Sequence, residues 1–107
     1  MDVSEIAPAD GPSTIPDMRG YVLPLAELRG ISAATPVGST LEIWVTWRRD
    51  VGGSQVQRVV GRAVLGAVRQ PSVPEGPETV EIFIPVEDFP DFIAAHEFGS
   101  LNAAIVP

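Results

Sequence analysis

The stretch TLEIWVTWR (40–48) constrains this chain more than any other. Leu41, Ile43, Val45 and Trp47 fall on one side of an extended backbone, and Glu42, Trp44 and Thr46 on the other. Strand side chains alternate between faces, so the pattern specifies a strand with one face in a core. The other face is left for solvent or a partner.

Much of the remaining sequence follows the same grammar. MRGYVLPL (18–25) is β-like, and Pro24 confines part of it to a sheet edge, because proline has no N–H for a ladder. AELRGISAATPVGS (26–39) reads as a long connection with a turn at Pro36 and Gly38. RDVGGSQ (49–55) is a Gly-Gly hairpin turn. QVQRVVG (55–61) and RAVLGAVRQ (62–70) continue the β pattern, with Gly61 as a bulge or bend between them. PSVPEGP (71–77) is too rich in proline to join a ladder. ETVEIFI (78–84) alternates again: Val80, Ile82 and Ile84 inward, Thr79, Glu81 and Phe83 outward or toward a partner.

Then the period changes. In VEDFPDFIAAHEFG, Phe89, Phe92, Ile93 and His96 recur at intervals of three and four, which predicts a short helix over residues 88–98. Asp88 suits an N-cap and Pro90 the first turn. Asp91 suits the positive end of the helix dipole, and Gly99 the left-handed residue that stops a helix. LNAAIVP (101–107) returns to strand. The expected fold is mainly β (α+β). It is a small β-sandwich or β-barrel-like domain of about six short strands with one short C-terminal helix, covering residues 18–107. Residues 1–17, acidic and rich in Pro, precede it as an extended arm, which is expected to dock on a neighbour.

Charge narrows the function. The net charge of −7 argues against nucleic acid as a partner, which needs a basic footprint. All basic residues are arginines, and all fall between Arg19 and Arg69. Residues 18–69 hold seven Arg against Glu27, Glu42 and Asp50, a local balance of +4. Residues 1–17 carry four acids and residues 70–107 seven, with no base in either. A basic middle between acidic ends can dock copies head to tail. No run approaches a membrane span and no basic-then-apolar leader opens the sequence, so neither insertion nor a secretory signal is expected of this stretch. Cysteine is absent, which excludes disulfides, thiolate catalysis and Cys-ligated zinc.

The candidates for chemistry are few. His96 is the one histidine, and catalytic work would require an orienting partner and a nucleophile or metal. Its neighbour Glu97 points elsewhere on the helix, so His96 reads as a packing or capping residue. Glu87, Asp88 and Asp91 are accounted for by the start of the helix. No catalytic, cofactor or metal residues are expected, and the chain reads as a non-enzyme. Trp44 and Trp47 lie three apart on a strand, on opposite faces, and cannot form one aromatic platform. The candidate interface comprises Trp44, Trp47, Phe83, Arg48, Arg49 and Arg58.

Three stretches also carry a resemblance. MRGYVLPLAEL (18–28), TPVGSTLEIWVTW (35–47), and RAVLGAVRQ (62–70) followed by TVEIFIPVEDFPDFIAAHEFGSLNAAIVP (79–107) resemble, in that order, segments of the Flp/Tad pilus-assembly family, the CpaB/RcpC-like proteins. The resemblance implies a non-enzymatic β module of the bacterial cell envelope, with protein partners and no cofactor. That family's usual membrane anchor and β-clip segment have no counterpart here. The expected function is a structural subunit of a large assembly, contacting copies of itself or other proteins. The alternatives are a small bacteriophage virion protein decorating a capsid or joining head and tail, and a carbohydrate- or peptidoglycan-binding module. Each implies its own location, envelope or virion for the first two.

Overall fold

A computed structural model describes residues 15–47 and 55–107. Most of the N-terminal arm, the Gly-Gly hairpin turn, and Arg48 and Arg49 lie outside the described residues. The described chain is mainly β with one helix, as the alternation predicts. Its strands are β1 (Met18–Pro24), β2 (Leu28–Arg29), β3 (Thr40–Trp47), β4 (Gln55–Arg69), β5 (Thr79–Pro85) and β6 (Gly99–Ile105), and the helix α1 spans Phe89–Phe98.

The six strands form one sheet in the order β1-β5-β4-β3-β6-β2. The two edge strands, β1 and β2, are consecutive in the chain and separated only by a 3-10 turn, Leu25–Glu27. Three residues cannot span a flat sheet six strands wide, because neighbouring strands sit ~4.8 Å apart. The sheet therefore curls until its first and last strands approach each other, which is the barrel-like form. A seam remains between them. All pairs are antiparallel except β2 with β6, where Leu28 and Arg29 match Leu101 and Asn102.

Two bulged stretches let β4 follow the curl. The sequence suggests two strands, but one strand of 15 residues runs through both segments. Its first part pairs with β3, its last part with β5, and Val64 pairs with both. Opposite Glu42 the register skips Gly61 and Arg62, between Ile43 and Trp44 it skips Val59, and between Ile82 and Glu81 it skips Gly66. Such extra residues bend a strand and increase its twist. They also reset the faces: Val60, Ala63 and Leu65 are all buried although they are not evenly spaced by two.

Inside the curl sit Leu41, Ile43 and Val45 of β3, Val80, Ile82 and Ile84 of β5, and Leu23, Leu28 and Leu101, with Phe92 and Ala95 of α1 above them. Each fully buried aliphatic or aromatic side chain contributes about 1.5–3 kcal/mol. The β2 strand was not foreseen in the long connection. It depends on Gly30, whose φ of 99° and close approach to the Ala103 carbonyl admit no side chain.

Two expectations about the helix ends are corrected. Asp88 makes no side-chain capping bond, because the chain reaches α1 through a 3-10 turn, Val86–Asp88, and Asp88 is already in the helical region (φ −95°, ψ −7°). A capping side chain needs extended backbone at that position. Gly99 is likewise extended (φ −143°, ψ −171°), not left-handed, since β6 begins there at once. Its missing side chain matters for packing instead: a Cβ there would run into Val45 and the Thr46 carbonyl. Among the described residues no helix is long and apolar enough to cross a membrane.

Candidate functional site

The seam gathers the one histidine with groups far from it in sequence. Tyr21 points inward from β1, Glu27 closes the 3-10 turn that leads to β2, and His96 lies in the last turn of α1. The Tyr21 hydroxyl is 3.0 Å from His96 Nδ1, and Glu27 Oε1 is 2.6 Å from His96 Nε2. With a single ring proton on Nε2, that N–H donates to Glu27 and Nδ1 accepts from Tyr21. With a second proton, Nδ1 donates to the phenol oxygen and the Glu27 contact becomes an ion pair. Aromatic packing fixes the same set. The Tyr21 ring meets Phe89, Phe92 and His96 edge-on at 6.0, 5.2 and 5.6 Å, and the His96 ring lies nearly parallel to Phe92.

The sequence missed this orienting carboxylate. Glu97 does not act on His96; Glu27, 69 residues away, does. A carboxylate–imidazole–hydroxyl chain is also the wiring of a nucleophilic triad, so access decides its meaning. Beside it an open groove of about 350 Å³ is lined by Ala26, Glu27, Arg29, His96, Gly99, Ser100 and Leu101. Tyr21, which would have to be the nucleophile, does not line the groove and is ringed by Phe89 and Phe92. Ser100 does line it, but both His96 nitrogens are already bonded within the chain. The set is a clamp across the seam.

The candidate interface residues separate into three groups. Trp44 is the exposed tryptophan, at 36%, and its Nε1 donates to Glu42 at 3.2 Å. Arg58 pairs with the same Glu42 at 3.4 Å. Trp47 packs against the edge of the core while its Nε1 donates to Gln57. Phe83 does face outward from β5 but is only 2% exposed, so it is not a free contact surface. Its ring lies between Gly20 of β1 and Gly66 of β4, which leave room for it on the sheet. Arg48 and Arg49 belong to the undescribed end of the β3–β4 hairpin.

At the start of α1, Asp88 sits with Glu87 and Asp91. Partial burial, and then the two neighbouring carboxylates, raise its carboxyl above the ordinary value of 3.8. No three His, Asp or Glu side chains converge as a metal site among the described residues. No family model, curated protein or solved structure matches the chain.

Proposed function

We propose that this chain works by contact, as a non-enzymatic structural subunit of a larger protein assembly. The observation that carries the proposal is the end of the β3–β4 hairpin. Among the described residues, Val56–Val60 of β4 pair with β3 alone, because β5 joins only from Val64 onward. A strand of that length with one unpaired edge is a template for another strand. Trp44 and Trp47 of β3 lie beside it, Arg58 is on it, and Val56 on it is 61% exposed. The clamp at the seam supports the same reading, since it commits His96, Tyr21 and Glu27 to holding the fold. The order of β segments favours the setting of a pilus-assembly module of the envelope, resting on the three stretches that resemble that family.

Native mass spectrometry of the full chain over a wide concentration range tests the proposal. Oligomers that grow with concentration, and that Val56→Glu suppresses without unfolding the chain, are expected. A wild-type chain that stays monomeric at every concentration overturns assembly through copies. The genes beside its own then distinguish the settings: secretin and pilin genes, or capsid and tail genes.

A further inference from the structure

The groove beside the clamp reaches the outer face of the sheet, where it meets a line of side chains that ends at Trp44. Arg29 and Ser100 line the groove. Arg29 on β2 is in register with Asn102 on β6, and Asn102 with Trp44 on β3. Residues in register on neighbouring strands share a face, so Arg29, Asn102 and Trp44 cross the outside of the sheet on one line. Ser100 is on the same face, two residues before Asn102 and opposite Thr46. Strand spacing of ~4.8 Å puts the Arg29 and Trp44 backbones about 10 Å apart, the reach of a disaccharide.

The two ends of the line offer different chemistry. At one end the Trp44 indole N–H is tied to Glu42, two residues along the same strand, and Glu42 is in turn paired with Arg58. The ring is thereby held along its strand while 36% of the residue stays open to solvent. Its immediate neighbours on that face, Glu42, Thr46, Asn102 and Arg58, are all polar. No apolar wall stands beside the ring to receive an aliphatic side chain. An exposed indole among hydroxyl, amide and charged groups suits a ligand with a flat C–H face and a rim of hydroxyls, which is the build of a pyranose ring.

At the other end, Arg29 makes no ion pair among the described residues. Glu27 is the acid that lines the groove, and its Oε1 is committed to His96 Nε2. The Arg29 guanidinium, sharing the groove with the Ser100 hydroxyl, is therefore placed to take a carboxylate from outside. The groove's volume of about 350 Å³ leaves room for one sugar residue.

We propose that this face binds an acidic polysaccharide, one sugar ring stacking on Trp44 and the carboxylate of a uronate residue held by Arg29 and Ser100 in the groove. Asn102, between the two, hydrogen-bonds the hydroxyls of the sugars that bridge them. This goes beyond the assembly proposal. It uses the face of the sheet and not the free edge of β4, so the two can fail separately.

Isothermal titration of the full chain tests it with four probes: tetragalacturonate, a hyaluronan tetrasaccharide, neutral maltotetraose and a glutamate tetrapeptide. At least one of the two uronates should bind, about tenfold more tightly than maltotetraose. Trp44→Ala should weaken that binding about tenfold, and Trp44→Phe, which keeps a ring at the site, should retain most of it. Arg29→Gln should bring the uronate down to the affinity of the neutral sugar. Binding of neither uronate overturns the proposal, as does a uronate affinity that Trp44→Ala leaves unchanged. Maltotetraose binding as tightly as the uronate removes the acidic subsite. A glutamate peptide binding as tightly would reduce the site to a bare cation and overturn the saccharide.

Discussion

At the scale of single residues, His96 is held by two side-chain hydrogen bonds, to Tyr21 and to Glu27. Replacing it with alanine removes two hydrogen bonds and leaves the Tyr21 hydroxyl and Glu27 to find others. At ~1 kcal/mol for each bond, His96→Ala should cost about 2 kcal/mol and Tyr21→Phe about 1 kcal/mol in urea unfolding. A reactive histidine at an open site would instead cost little stability. The helical spacing grouped His96 with Phe89, Phe92 and Ile93, and the β-like stretch 18–25 placed Tyr21 on a strand without giving it a face. Their meeting was not legible, because they are 75 residues apart and only the strand order brings them together. Phe83 shows the same limit. Alternation gave its direction correctly, but its burial depends on Gly20 and Gly66 of the flanking strands. A Cβ on Gly66 would stand 2.6 Å from the Phe83 ring. Gly66→Ala should therefore cost about 1–3 kcal/mol through overpacking. Phe83→Leu in the same chain should recover part of that loss, and a double-mutant cycle by thermal unfolding measures the coupling.

Elements were legible wherever the period was regular. The alternation in β3 and β5 and the helical spacing of α1 each state a local geometry that their burial repeats. β4 was harder, because a bulge breaks the very period by which a strand is read. Gly61 marked the break as the bulge or bend expected there, and it lies within one strand of 15 residues. The start of α1 shows how one element alters the next: the 3-10 turn at Val86–Asp88 takes away the extended backbone that a capping Asp88 would need. Asp88 is left as a partly buried carboxyl beside Glu87 and Asp91, with its proton affinity raised. The folded state then favours its protonated form. The stability this contributes is complete below pH 3.8 and is lost as pH rises through the raised value. Asp88→Asn should accordingly be more stable than wild type at neutral pH, by no more than about 0.5 kcal/mol because the site is largely solvated. The difference should close at pH 3 and below, and chemical denaturation at the two pH values measures it.

At the scale of the whole molecule, the strand order decides what the site is. No local pattern announces that β1 lies beside β5, or that two residues of a loop complete the far edge as β2. Both follow from closing a curled sheet whose edge strands are joined by three residues. That closure leaves a seam, and α1 lays His96 over it, bonded to Tyr21 on one side and Glu27 on the other. The clamp should consequently govern opening at the seam more than global unfolding. In hydrogen exchange, His96→Ala should release the amides of β1 and of Leu28–Arg29 from protection. The centre of the sheet, where β3 pairs with β4 and β6, should keep its protection, since its hydrogen bonds do not pass through the clamp. Uniform loss across all six strands would show that His96 supports the core as a whole, and that the seam does not open as a separate unit.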